Sequence, residues 1–459
     1  MRRTSVVVVG AGITGLTCAY GLGRRSIDCL LVEKRERAGG NVQTDRTEGF
    51  ILDAGPDAFL TQKPEALSLC RELGLEARLL PTNPAERDVY VLFRGRLHPL
   101  PEGMVLAVPT RLLPLALSRL FSPLGKLRMG LEVCMPRRRG EGEESIASFI
   151  ERRFGREALE RLAEPLLGGV HSGSPERLSM NRLFPRIVAL EEKHGSLVRG
   201  MRKARAARRS GPPPPLFLSL TDGLSELVDA LVRRLRPGTL LLESEVRRVQ
   251  RKYDTYRTEL ASGETLVSPS LVLALPLRQA EQLARGISSR LAEALAKIPT
   301  VSTAVVFLAF PRENVRHPLA GYGFVVPRSE KRRILAASFV STKFPNRSPR
   351  SHVLLRAFLG GDRDPGVLKS TDPALVELVH RELEAILGSL GTPTLARVYR
   401  WPDATPQIEV GHGARLTAID EALGAHPGLH VAGNGLRGVG IPDCIADARR
   451  VAAELVRYL

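Results

Sequence analysis

The chain has 459 residues, 43% of them hydrophobic, which is enough material for two or three domains that each bury a core. Its 67 basic against 49 acidic residues give a net charge of +18; with one Trp and no basic stripe interleaved with aromatics, nucleic acid is excluded as the partner, leaving anionic lipid or a polycarboxylate substrate. No stretch approaches the roughly 18 uncharged apolar residues that a transmembrane helix needs.

The first predicted element is a strand over Val6 to Val9, four consecutive β-branched residues of the kind that suits a parallel sheet covered on both faces. It runs into Gly10-Ala11-Gly12-Ile13-Thr14-Gly15, the G-x-G-x-x-G pattern at a strand-to-helix turn. Gly10 permits the tight turn, Gly12 lets backbone approach a pyrophosphate, and Gly15 lets the following helix pack closely, its N–H groups facing the phosphates. A helix over Leu16 to Arg25 and a strand over Cys29 to Val32 lead to Glu33, an acid about 20 residues on that is placed to accept from ribose hydroxyls. With Lys34 beside it, a 2′-hydroxyl is favoured over a 2′-phosphate. The expected ligand is a dinucleotide. Since a strand begins where the apolar region of a signal peptide would lie, the expected compartment is the cytoplasm.

Beyond Glu33, Arg37, Gly39 and Gly40 extend the motif to E-x-x-x-R-x-G-G, followed by Asn41 and then by DAGPDAF over Asp53 to Phe59. Both segments resemble the amine-oxidase and phytoene-desaturase superfamily of FAD enzymes. The resemblance implies non-covalent FAD, with Gly55, Pro56, Asp57 and Ala58 running along it. A double glycine also fits backbone that lies against a flavin and leaves no room for side chains.

An amphipathic helix follows over Pro64 to Leu75 and a hairpin over Asp88 to Leu97, turning at Arg94-Gly95. From Gly103 to Leu131 there is no acid, only Arg111, Arg119, Lys126 and Arg128 among leucines, a composition that suits either a helix lying in a membrane interface or a core helix; in the first reading Leu113, Leu117 and Leu120 face lipid. Helical periodicity continues over Glu143 to Leu167. A basic stretch with Arg202, Lys203, Arg205, Arg208 and Arg209 ends on the proline run 212 to 215, a stiff boundary. Strand patterns then cover Thr239 to Val249, Thr255 to Leu260 and Leu266 to Ala274, with a helix over Ile287 to Ile298. Strands at Ser302 to Phe310, Gly323 to Val326, Ile334 to Phe339, Val353 to Phe358 and Ala396 to Trp401, with a helix over Pro373 to Leu387, suggest an antiparallel sheet with helical cover. Finally, a strand from Leu429, a glycine-rich turn over Gly435 to Gly440 and Pro442 at the start of a helix would aim a helix N-terminus at the flavin N1/O2 edge.

GGVHSGSPERLSM (Gly168 to Met180), FPRIVALEEKHGSLVRG (Phe184 to Gly200), LSLTDGLSELVDAL (Leu218 to Leu231) and GVGIPDCIADA (Gly438 to Ala448) resemble, in order and over nearly the whole chain, the oxygen-dependent porphyrinogen oxidases of haem synthesis. The fold implied is α/β: a Rossmann-like FAD domain assembled from 1–87, 216–290 and 421–459, a helical, membrane-binding-like domain over 88–215, and an α+β substrate domain over 291–420. The resemblance places Val246, Ala274 and Pro276 at the adenosine half of FAD, Trp401 beside the isoalloxazine, and Gly433, Val439, Gly440 and Ile441 at the C-terminal cofactor turn. It places Gly169, Tyr322, Val325 and Phe358 against the tetrapyrrole, although Tyr322 departs from the usual phenylalanine. Asp57 is a candidate to orient a pyrrole N–H, and Lys63 to reach a propionate at the pocket rim. The implied reaction is three two-electron oxidations of a porphyrinogen, coproporphyrinogen III favoured over protoporphyrinogen IX, with hydride passing to flavin N5 and O2 giving H2O2.

No dedicated catalytic acid or base is demanded, and no Ser-His-Asp or paired-carboxylate constellation suggests hydrolysis. The five cysteines, without C-x-x-C or ligand spacing, read as reduced buried thiols, and no metal site is expected from the scattered histidines. Peripheral attachment to an anionic membrane and a homodimer stay open. Two alternatives also stand: an amine oxidase or carotenoid desaturase on the same fold, against which Leu436 and Arg437 stand where an aromatic pair is expected, and a non-catalytic tetrapyrrole carrier.

Overall fold

Val6–Val9 is buried along its whole length, as a β-branched run between two covered faces should be. In the computed structural model, which describes residues 1–105, 108–109, 111–138, 140, 142–206 and 215–459, this strand is the centre of a five-stranded parallel sheet. The order is Leu240–Leu241, Cys29–Val32, Val6–Val9, Ser270–Leu273, Leu429–Val431, with Val7 in register with Leu30 on one side and Leu271 on the other. Helices Ile13–Gly23, Ser225–Arg234 and Ile441–Tyr458 cover one face through Leu16, Leu227, Ile445 and Val451. A second sheet, in the order Arg2–Arg3, Thr265–Ser268, Thr255–Leu260, Val246–Lys252, and helices Leu277–Ala284 and Ser289–Ala296 bury the other.

Two expected strands are each divided between these sheets. Leu266 to Ala274 breaks at Pro269, which has no N–H for a ladder, into Thr265–Ser268 and Ser270–Leu273. Thr239 to Val249 breaks where Glu243 takes a positive φ of 50°, into Leu240–Leu241 and Val246–Lys252.

The chain forms two compact units. One is Met1–Thr82, Pro214–Thr300 and Gly413–Leu459; the other is Asn83–Pro213 and Val301–His412. Of the expected helical domain 88–215 and substrate domain 291–420, residues 88–213 and 301–412 thus share one unit, while 291–300 and 413–420 belong to the unit of the parallel sheet. The shared unit's seven-stranded sheet shows why: the order Leu395–Pro406, Thr300–Pro311, His352–Gly360, Ile334–Phe339, Gly323–Val325, Val89–Phe93, Arg96–Pro99 takes the 89–99 hairpin into the same ladder. Alternation along the strands separates two cores. Val91, Val325 and Ala336 face the helical insertion, while Leu92, Phe324 and Ala337 face helix Asp372–Leu387.

The insertion is several short helices rather than the expected long ones. Over 103–131 there is a hairpin, Met104–Val105 with Val108–Pro109, then helices Leu112–Leu117 and Pro123–Gly130. Glu143 to Leu167 is interrupted at Gly155, φ +89°, and contains a wide π-type turn, Leu159–Ala163, before helix Glu164–His171. The insertion is held by a fully buried Arg153 that pairs with Glu132 and, at 3.4 Å, with Glu191. Glu132 also accepts the Leu197 and Val198 N–H groups at 2.8 and 3.3 Å, capping helix Leu197–Ala206. The proline boundary at 212–214, with Arg208 and Arg209 of the basic stretch, lies outside the described residues.

Candidate cofactor and substrate sites

The glycine turn is built as its spacing predicts, and each glycine has its own reason. At Gly10, φ +99°, a Cβ would lie 2.5 Å from the Ala274 carbonyl, and at Gly15 it would lie 1.9 Å from the Gly10 carbonyl. At Gly12, the N-cap of helix Ile13–Gly23, a Cβ would meet no protein atom within 4 Å. The space above Gly12 is therefore open, in front of a helix N-terminus whose first turn holds no acid, and this is the cradle that a pyrophosphate needs. Ala11, Ile13 and Thr14 form the turn around it, and Gly39 closes it from the side, its N–H donating to the Ala11 carbonyl at 2.7 Å.

Glu33 is buried at the end of the second strand; Oε2 accepts the Ala11 N–H at 2.9 Å and Oε1 the Arg35 N–H at 3.1 Å. Each oxygen keeps a lone pair for a ribose hydroxyl. Lys34 is exposed. Segment 243–246 is hung on the same strand end, because Ser244 N–H donates to the Glu33 carbonyl at 2.8 Å and Glu243 N–H to that of Arg35 at 3.0 Å, so Val246 begins its strand two residues from this anchor. Ala274 lies against Gly10, and Pro276 is the N-cap of helix Leu277–Ala284.

Arg37 donates to the Gly40 carbonyl at 3.1 Å and to Gln43 Oε1 at 2.6 Å, pinning the double-glycine loop; burial, aided by Arg35, pulls its guanidinium below its ordinary pKa. At Gly55 a Cβ would sit 1.9 Å from the Asn41 carbonyl, so the two expected flavin segments pass in direct backbone contact, with Pro56, Asp57 and Ala58 following, half-buried. Sequence reasoning missed what anchors them. Asp53 is buried, and its Oδ1 accepts from Thr44 Oγ1 at 2.6 Å and the Leu224 N–H at 2.9 Å.

The C-terminal turn closes the cradle. Gly433, φ +130°, passes 3.3 Å from Thr14 Oγ1 at its would-be Cβ, and the Cys444 thiol lies beside the Thr14 side chain, so the first turns of helices Ile13–Gly23 and Ile441–Tyr458 touch. Two helix N-termini are therefore aimed side by side. Burial pushes the Cys444 thiol up to about 12. Buried Asp447 fixes the turn by accepting the Gly433 N–H at 2.9 Å; Val439 is half-buried, Gly440 is the N-cap and Ile441 enters the core. Lys63 is not a free cation at a rim. Its Nζ lies 2.6 and 2.7 Å from the two carboxylate oxygens of Asp443, in the first turn of the final helix.

In the second unit, Val325, Ala336 and Phe358 are cross-strand neighbours on three adjacent strands, and Gly169 sits over them, its would-be Cβ 3.4 Å from Ala336 Cβ and 3.6 Å from Val325 Cγ1. Arg356, buried two residues before Phe358, stacks its guanidinium 4.5 Å from that ring's centroid. Tyr322 is held apart from this row: its hydroxyl donates to the Asn83 carbonyl at 3.0 Å, an anchor phenylalanine could not make. Trp401 is buried on the edge strand Leu395–Pro406. A clamp invisible in the sequence holds helix Glu164–His171 on the sheet, with Glu164 accepting from Arg363 at 2.9 Å and from the Arg328 N–H at 3.1 Å.

Such a cradle at the carboxyl edge of a parallel sheet, with an acid after the second strand and a second helix N-terminus closing it, defines a flavin dinucleotide enzyme of the Rossmann type. The chain belongs to the family of flavin containing amine oxidoreductases, whose model matches residues 13–456. It is thus an FAD-dependent oxidoreductase. It is 33% identical to coproporphyrinogen III oxidase of Bacillus subtilis (strain 168), across the whole of this chain and 99% of the relative. It is 34% identical to the chloroplastic protoporphyrinogen oxidase of Nicotiana tabacum, across 99% of this chain and 85% of that protein. Among solved structures, a candidate protoporphyrinogen oxidase from Exiguobacterium sp. 255-15 superposes with a TM-score of 0.88 at 31% identity, covering 99% of both chains.

Proposed function

We propose that this chain oxidises a porphyrinogen to the porphyrin, preferring coproporphyrinogen III to protoporphyrinogen IX. The reading is carried by full-length similarity to enzymes named for both substrates, coproporphyrinogen III oxidase and protoporphyrinogen oxidase. Bound FAD supplies a two-electron hydride acceptor that O2 restores, yielding H2O2. Everything else falls to positioning. A meso C–H can leave as hydride because the flanking pyrroles stabilise the cation, so the chain has to orient an apolar macrocycle and exclude water. The Val325, Ala336 and Phe358 row under Gly169 has that character, with no acid or base among its four residues. Three such rounds remove six electrons and six protons. A high positive charge favours the substrate with four propionates over the one with two.

The test is porphyrin fluorescence from each porphyrinogen, side by side, in air. The expected result is product from both with a higher kcat/KM for coproporphyrinogen III. No porphyrin from either, with flavin bleached by an amine under anaerobic conditions instead, would return the chain to the amine oxidases.

A peripheral membrane contact is part of the proposal. Among the described residues no helix is long and apolar enough to cross a membrane. Helices Leu112–Leu117 and Pro123–Gly130 expose Leu113, Leu117, Leu124 and Leu127, beside the exposed cations Arg111 and Arg119. Apolar residues with cationic flanks suit an anionic lipid surface. Leu120, expected to face lipid, is instead fully buried in the insertion's core.

A further inference from the structure

Lys63 stands where local chemistry gives it no reason to be. It is the N-cap of helix Pro64–Glu72, makes no capping hydrogen bond, and puts a cation at the end of a helix that the macrodipole makes positive. Its partner is 380 residues away: Nζ spans both oxygens of Asp443, at 2.6 and 2.7 Å. Asp443 in turn is the acid in the first turn of the final helix, and its Oδ2 accepts the Gly440 N–H at 3.0 Å. Gly438 leaves the carboxylate room, since a Cβ there would fall 2.4 Å from Asp443 Cγ.

Asp443 is therefore needed to tie down the turn, yet a carboxylate there offsets the partial positive charge of the helix N-terminus, about half an elementary charge. We infer that Lys63 is a positioning residue for the redox chemistry: by neutralising Asp443 it leaves the final helix positive toward the flavin, where negative charge develops on reduction. This rests on the reading that this N-terminus faces the flavin N1/O2 edge. Lys63 is 44% and Asp443 15% exposed in their side chains, so water and salt screen the pair in part and the effect is largest at low ionic strength.

The two partners are expected to shift the flavin in opposite directions. Lys63→Met, which keeps the stem and removes the charge, lowers the midpoint potential of the bound flavin; Asp443→Asn raises it; the double variant returns near wild type, and Lys63→Arg stays there. A tenfold change in the affinity for reduced over oxidised flavin corresponds to about 30 mV for a two-electron couple. The measurement is an anaerobic dye-equilibrated titration of the holoenzyme at low salt, with FAD Kd from fluorescence. Should Lys63→Met lose FAD, Lys63→Gln carries the same signed prediction. Two single variants that move the potential in the same direction, or not at all, overturn the inference. So does a Lys63→Met enzyme with wild-type potential and a KM raised for coproporphyrinogen alone, which would make Lys63 a substrate cation. Because the titration contains no porphyrinogen, its outcome is independent of the substrate assay.

Discussion

Gly12 and Gly15 lie three residues apart, and a side chain at each would strike different things. Gly12→Val enters open space, so the apo protein should keep its Tm while FAD retention is lost; a yellow Gly12→Val protein would refute the placement of the pyrophosphate. Gly15→Ala runs into the Gly10 carbonyl and should instead lower the Tm of the apo protein itself. Thiols give a second check at this scale. Cys18, Cys29, Cys70 and Cys444 are buried and Cys134 is exposed, so a thiol reagent at pH 8 should label one cysteine in the native protein and five after denaturation. The cradle was legible because its residues fall within a six-residue pattern. Asp53 and Asp443 were not, because the groups that give them meaning, Leu224 and Lys63, lie 171 and 380 residues away.

At the scale of elements, a buried apolar run marks a strand in the sequence, but its boundary is hidden where one residue ends a ladder, as Pro269 does. The leucine-rich segment 103–131 was legible in composition but not in orientation, since Pro123 opens a second helix after Ser122 and resets which side faces out. The consequence is measurable. Leu124→Ser with Leu127→Ser should reduce binding to anionic vesicles with Tm unchanged, whereas Leu120→Ser, which empties a core position, should destabilise by about 2–5 kcal/mol. Equal vesicle binding by the double variant and wild type would remove lipid as the partner of this face.

For the whole molecule, three histidines in the two units respond to pH in one direction. Burial lowers the pKa of His317, His426 and His430, reinforced at the first two by Arg312 and Arg251. The unfolded chain therefore binds protons that the folded one refuses, and stability present above the unfolded value of about 6.5 is lost as pH falls below it. Tm should decline between pH 7 and 5, and a flat profile would show that these side chains are solvated. The unit that carries the cradle is assembled from three separated stretches, and its last strand and helix, Leu429–Val431 and Ile441–Tyr458, come from the third. On the ribosome this imposes an order in time. At about 5–20 residues per second, Gly12 and Gly39 emerge roughly 20–80 s before the helix that completes their site. A nascent chain halted before residue 429 should bind no FAD, so the vitamin-derived cofactor enters after translation of this segment, and flavin scarcity would be felt as an accumulation of finished, colourless chains.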